Sequence, residues 1–398
     1  MSVAWPRRAA VGSHSGCSAA LAIDGPYPAH GYIRAVDAAA LRDEFPVLRR
    51  FAYLNAGTDG PLPRRALAAA QAELERELQE GRTGAHFQRR AELAQILREG
   101  YAALLGCPPS DVALTTSTSE GLGTVLGGLG LGPGDEVLTS DEEHPGLLGA
   151  LQALRDVSGV RIRIAPFARM ADAVTAQTTA VACSHVSWIN GSIVPAALAE
   201  LEIPVILDGA QGVGAVPIDL AELGCDAYAG AGQKWLCGPD GTGVLYVSPA
   251  LRERVAVTRR CYTNLAQAGL GLESPLREDA RRFDTSSLSA EALALAGGAL
   301  RVLSDAGWPA VHERACALAE TFAERLAGTG REVARRGPST LVSFSSADPE
   351  TEREQLARDG VIVRNLPGTS WLRASVGAWN DGADLERLVR ALRPYEAA

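Results

Sequence analysis

The sequence predicts an α/β fold, in which a large domain on a mostly parallel sheet precedes a smaller α+β domain. Three observations carry this. Short apolar runs alternate with Ala/Leu-rich helical stretches between residues 64 and 247, as strands covered on both faces by crossover helices do. Past about residue 288 the pattern changes to two long helices, three strands and a closing helix. The 398 residues, 46% hydrophobic and 21% charged, suit more than one soluble globular unit.

The elements follow in order. Residues 1–33 are broken by Gly and Ser, hold no continuous apolar core of a secretory signal, and read as a loose, disordered extension. Residues 34–55 are expected to associate with the small domain. Pro63 suits a first helical turn and precedes a helix predicted over Arg64–Gln79; a second runs from Phe87 to Leu105 and stops at Gly106. Seven strands are then predicted at Val112–Thr116, Glu136–Thr139, Arg161–Ala165, Ala180–Ser184, Pro204–Leu207, Asp226–Ala229 and Gly243–Val247. Helices are expected at Ser119–Leu129 and from His144-Pro145-Gly146 to Val157. The large domain is placed at 56–288 and the small one at 289–398. The small domain should hold helices at 289–304, 309–327 and Ala383–Leu392, and strands at Leu341–Ser345, Val361–Arg364 and Leu372–Ser375.

Composition excludes several functions. A net charge of -9 argues against a nucleic-acid partner, and no run approaches the ~20 apolar residues of a membrane helix. The seven cysteines are odd in number, widely spaced and lack a C-x-x-C pair, which reads as reduced thiols of a cytoplasmic protein. The six histidines form no H-E-x-x-H, and no metal site is expected. One count stands apart: among 38 basic residues, 37 are Arg and one is Lys, Lys234. Guanidinium stays protonated and forms no Schiff base, whereas a desolvated amine does. A leftover surface lysine is the bland alternative.

Three segments at strand ends carry chemistry. Thr115-Thr116-Ser117-Thr118-Ser119-Glu120-Gly121 ends a strand and opens a helix, where hydroxyls and free N–H groups suit a phosphate or serve as a plain cap. Val205-Ile206-Leu207-Asp208 puts an acid at the end of an apolar strand, where a buried carboxylate needs a partner, either the hydrogen bonds of a loop it holds or a protonated heterocyclic nitrogen. Lys234 lies in a small-residue loop between two apolar strands, a place a solvated lysine has no need to occupy. Together they point to pyridoxal phosphate held as a Schiff base on Lys234, with Asp208 on the ring nitrogen.

From about Leu41 onward, several motifs in order resemble the class V aminotransferase family of pyridoxal 5'-phosphate enzymes, in its cysteine desulfurase, isopenicillin N epimerase-like and C–S lyase branch. They are YLNAGTDGPLP (53–63), TSTSEG (116–121), EEHPG (142–146), LDGAQGVGAVPIDL (207–220), GQKWLCGPDGTGVLYV (232–247) and WLRASVGAWN (371–380). The resemblance implies fold type I, with the seven-stranded sheet in the large domain. It implies that Lys234 is the Schiff-base lysine and proton shuttle, that Asp208 pairs with the pyridine nitrogen, and that His144 stacks on the ring. Gln211 would contact the ring hydroxyl; Thr118, Ser119 and Gln233 would bind phosphate. Ser287, in FDTSSLS (283–289), would reach the phosphate of a second subunit, implying a homodimer. Arg373 would grip the substrate carboxylate, with Trp188 and Asn55 also on the substrate side.

Departures narrow the reaction. Ala231 stands where family members often have Ser or Thr, Gln233 where they have His, and Trp188 where desulfurases have Asn. Desulfurases carry a nucleophilic Cys on a loop of the C-terminal domain; the matching segment, 364–370, has none. After α-proton removal the outcomes are β-elimination, transamination or epimerisation. The missing sulfur acceptor favours C–S lyase chemistry on a cysteine-derived substrate. The rivals are a non-catalytic cofactor-binding protein, which has no use for Arg373, and a nucleotide-binding protein, which lacks a G-K-[ST] loop.

Overall fold

The computed structural model describes residues 36–392, so the expectation for 1–33 lies outside the described residues. Twelve strands are numbered along the chain: β1 (Ala52–Tyr53), β2 (Val112–Thr115), β3 (Glu136–Ser140), β4 (Arg161–Ala165), β5 (Thr178–Ser184), β6 (Val205–Asp208), β7 (Ala227–Ala231), β8 (Gly243–Val247), β9 (Leu341–Ser345), β10 (Val361–Ile362), β11 (Arg364–Asn365) and β12 (Trp371–Ser375). The central sheet has seven strands in the order β2-β8-β7-β6-β5-β3-β4. Every neighbouring pair is parallel except the two that β8 makes, with β2 and β7.

Alternation explains why these strands read as continuous apolar runs. In β6, Val205 and Leu207 enter one core cluster while Ile206 enters the cluster on the opposite face. In β7, Tyr228 faces the first cluster, and Ala227 and Ala229 the second. Both faces are therefore dry, as the mostly parallel arrangement requires. From β3 the chain steps outward to β4, then returns to lay β5 on the other side of β3. The crevice beyond the carboxyl ends of β3 and β5 is a switch point, where such sheets receive ligands.

The C-terminal part builds a three-stranded antiparallel sheet, β11-β12-β9, whose Phe344 and Leu372 pack with Phe322, Leu385 and Leu388 from two helices, Trp308–Ala327 and Gly382–Ala391. The segment before the central sheet joins it: β1 pairs with β10, and the Arg42 guanidinium bridges to Asp384 at 2.7 Å.

Several boundaries differ from the sequence expectation. The helix after β2 starts at Thr118, because Ser117 accepts from the Glu120 amide as its cap. The single strand expected at Val361–Arg364 is divided, since β10 pairs with β1 and β11 with β12. A helix at Pro349–Arg358 is an addition to the expected elements; its residues are almost all polar and only Leu356 is buried, so it offers no apolar period. Its start is nonetheless written locally, by the Asp348 cap, Pro349, and Glu350 and Glu352 in the first turn. No helix among the described residues is long and apolar enough to cross a membrane.

Candidate active site

The carboxyl ends of β3, β5, β6 and β7 open, with the start of helix Thr118–Gly128, onto one cleft of about 190 Å³. Nine of the residues singled out from the sequence line it: Thr118, Ser119, His144, Trp188, Asp208, Gln211, Gln233, Lys234 and Arg373.

Asp208 ends β6 and is 5% exposed. Burial pushes its carboxyl above the ordinary range, while the Lys234 charge and a 2.9 Å bond from the Ala210 amide pull it down. Burial likewise pushes the Lys234 ammonium below its ordinary value, against the pull of Asp208. Lys234 is held from behind by its backbone: Cys237, at φ 55, donates its amide to the Lys234 carbonyl at 3.0 Å. Gly60 packs against that carbonyl so closely that a Cβ there would clash with it.

His144 caps the helix Pro145–Ser158, its Nδ1 accepting from the Gly146 amide at 3.0 Å. Burial first, then the charges of Lys234, Arg373 and Arg364, hold its imidazole down to about 4. The ring is therefore neutral at pH 7, as an acceptor at Nδ1 requires. Trp188 meets it edge-on, with ring centres 5.1 Å apart and planes at 89°. Gln211 is buried and held at both ends of its amide: it donates to the Gly57 carbonyl at 2.7 Å and accepts from the Trp235 indole at 3.0 Å, which leaves one N–H and one lone pair for a ligand.

Arg373, on β12, is 2% exposed, and its Nη1 donates to the Trp188 carbonyl at 2.6 Å. Burial and the neighbouring Arg364 push its guanidinium down to about 9. Arg364 faces it across the β11–β12 pair and lines the same cleft. Several buried polar atoms here have no partner among the described residues: the Thr118 hydroxyl, Gln233 Oε1, the Trp188 indole nitrogen and Arg373 Nε. Unpaired buried groups cost on the order of 1–3 kcal/mol each, so their concentration around one cleft marks a place shaped for a polar ligand.

Ser287 and Asn55 do not line this cleft. Ser287, with φ 64, borders a separate cavity of about 320 Å³ together with Arg98, Arg277 and Thr285. Asn55 lies two residues before Gly57, bridges to Ser375 and has a buried Oδ1 without a partner. Sequence reasoning misses Gly57, Thr58 and Arg364, all of which line the cleft. A Cβ on Gly57 would stand 2.9 Å from both Arg373 Nη2 and Gln211 Oε1, so only a glycine leaves those two side chains in place. The small-residue run Ala56-Gly57-Thr58-Asp59-Gly60 is the available signal. Among the described residues, no group of three or more His, Cys, Asp or Glu could hold a metal ion.

The chain matches the family Aminotransferase class-V over residues 52–388. It is 26% identical to a cysteine desulfurase of Serratia proteamaculans, over 89% of this chain and 97% of that one. It is 28% identical to an isopenicillin N epimerase of Amycolatopsis lactamdurans, over 85% and 94%. Among solved structures it superposes with a TM-score of 0.83 on C-DES carrying glycine covalently linked to its PLP cofactor, at 25% identity over 89% and 99% of the chains. C-DES, a cystine C–S lyase, also superposes as the complex with its product cysteine persulfide, at a TM-score of 0.82 and 25% identity, over 87% and 98%.

Proposed function

The chain belongs to the class-V aminotransferase family, and from that premise we propose that it is a pyridoxal 5'-phosphate enzyme that eliminates the β-sulfur group of a cysteine-derived amino acid. The cleft residues fit that cofactor. The unpartnered Thr118 hydroxyl sits at a helix N-terminus, where free N–H groups and the dipole favour a phosphate, with Ser119 and Gln233 beside it. Asp208 suits a protonated ring nitrogen, Gln211 the ring hydroxyl and the neutral His144 a ring face. When bound, the cofactor supplies an aldehyde for the lysine amine and a ring that takes up the electron pair released at the substrate α-carbon.

The chain's own groups do the rest. Arg373 holds the substrate α-carboxylate, with Trp188 and Asn55 on the substrate side. Lys234, kept toward its neutral form by burial, removes the α-proton. Ser287 acts on the phosphate of the second subunit of a homodimer. The six described cysteines form no disulfide among the described residues, which supports a reducing cytoplasmic setting.

One observation carries elimination over desulfuration: among the described residues no cysteine lines the cleft, and the 364–370 segment contains no thiol. A sulfur-accepting side chain is dispensable when the C–S bond breaks with release of the sulfur group, leaving pyruvate and ammonia after hydrolysis. Arg364 lines the cleft across from Arg373 and adds a second cation suited to a substrate with two carboxylates, such as the cystine for which C-DES is named. The test is to incubate the holoenzyme with L-cystine and cysteine conjugates, and separately with amino acids plus a keto acid. Pyruvate, ammonia and a released sulfur species are expected. A new amino acid instead would indicate transamination, and inversion at the α-carbon without cleavage would indicate epimerisation.

A further inference from the structure

We infer that Glu142 is a positioning residue for substrate binding, holding the 187–192 turn so that the Trp188 carbonyl fixes the Arg373 guanidinium. This rests on the reading of Arg373 as the substrate-carboxylate residue. Glu142 and Glu143 are consecutive, between β3 and the helix that His144 caps, and their side chains diverge. Glu143 turns inward, accepting from the Ser184 amide at 3.0 Å, the Ser184 hydroxyl at 2.6 Å and the Ser140 hydroxyl. It fastens the His144 loop to the end of β5.

Glu142 reaches instead for the turn that follows β5. Its Oε1 accepts from Asn190 Nδ2 at 3.1 Å and its Oε2 from the Ser187 hydroxyl. The turn is closed on itself: Ser187 Oγ accepts from the amides of Ile189 (3.3 Å) and Asn190 (3.4 Å), and Asn190 Oδ1 accepts from the Ser192 amide (2.8 Å). A closed turn moves as one body, so its anchor sets the position of everything it carries. What it carries is Trp188, whose ring meets His144 and whose carbonyl holds Arg373.

That carbonyl is the single side-chain hydrogen bond of Arg373 among the described residues, and Arg373 Nε is buried without a partner. The guanidinium thus has one fixed attachment, to a turn anchored by a carboxylate two residues from the His144 ring. The opposite wall grips the same turn: Ser343, directly across from Arg373 in the β9–β12 pair, donates its hydroxyl to the Ile189 carbonyl. A planar guanidinium binds a carboxylate best when its fork is held at one angle, and small misplacements of such groups are costly.

The test titrates purified holoenzyme with L-cysteine, following the cofactor absorbance, in Glu142→Ala, Glu142→Gln, Ser343→Ala and Arg373→Ala. Glu142→Ala should weaken the apparent Kd on the order of tenfold while cofactor affinity and the absorbance without amino acid stay as in the parent protein. Glu142→Gln should recover part of the loss, because its amide oxygen still accepts from Asn190 Nδ2 or from the Ser187 hydroxyl. Ser343→Ala should shift Kd in the same direction by a smaller factor. A Kd for Glu142→Ala within twofold of the parent overturns the inference, whatever happens to the melting temperature; so does an equal loss of cofactor and amino-acid binding. If the alanine variant does not fold, Ser187→Ala with Asn190→Ala removes both contacts from the other side, and an unchanged Kd there overturns it equally. If Arg373→Ala leaves Kd unchanged, the reading of Arg373 falls as well; if Arg373→Ala weakens binding and Glu142→Ala does not, only the positioning role falls.

Discussion

The sheet wall of the cleft carries Asp208, Lys234 and His144, and the C-terminal wall carries Arg364 and Arg373. Burial pushes Asp208, Lys234, His144 and Arg373 toward their neutral forms, but the two walls differ in what is available to oppose it. On the sheet wall an acid and an amine stabilise each other's charged forms. On the C-terminal wall two guanidiniums face one another across β11 and β12, and the Arg364 charge adds to the burial that pushes the Arg373 guanidinium down. One wall is internally balanced and suits a resident cofactor. The other is left with positive charge that an arriving anion would neutralise. Variants on the two walls should therefore fail differently.

The largest effect belongs to the sheet wall. Lys234→Arg keeps the charge but cannot form a Schiff base, so the holoprotein should lose its yellow absorbance, resist borohydride fixation of a pyridoxyl group, and lose on the order of 10⁴-fold in turnover. Retained turnover would refute the Schiff-base role of Lys234. Arg373→Ala should leave the cofactor absorbance unchanged and raise KM for a free amino acid by about 10- to 100-fold, the value of a charge-assisted hydrogen bond of about 1.5–3 kcal/mol. A lost absorbance with unchanged KM would mean the walls had been assigned the wrong way round.

The smallest effect measures the coupling between walls. Arg373 and Arg364 both help to hold His144 near 4, so Arg373→Ala should raise the His144 pKa by a fraction of a unit in a proton NMR titration, and no movement would show the walls to be electrostatically separate. The sign for stability follows. His144 in the folded chain lies below its unfolded value of 6.5, so its contribution is fully present above about pH 6.5 and is lost as pH falls toward 4. Denaturant unfolding across that window should show a shallower acid loss in Arg373→Ala than in the parent protein.

Much of the sheet wall is legible in the order of residues alone. Asp208 and Thr118 stand just past short apolar strands, and in an α/β sheet those strand ends converge on one crevice whatever the details of packing. Lys234 is conspicuous as the only lysine. The C-terminal wall is harder to read. Resemblance alone points to Arg373. Arg364 ends the strand expected at Val361–Arg364, but nothing local announces that this strand divides and that Arg364 pairs across from Arg373. Gly57 is hidden for a related reason: its carbonyl meets Gln211, 154 residues away, and nothing in either segment records the other. The Pro349–Arg358 helix escapes because it is solvated on nearly every side.

By itself the sequence determined which chemistry was possible, through one amine in a chain of guanidiniums, and which layers would form, because alternation along a strand decides what each face buries. Tertiary structure alone decided that the Arg373 guanidinium would be attached to the Trp188 carbonyl, that Arg364 would stand across from it, and that Glu142 would anchor the turn that carries Trp188. The reason is physical: burial pattern is a property of neighbours in the chain, whereas the partner of a given side chain is set by the closure of sheets whose strands lie far apart in sequence.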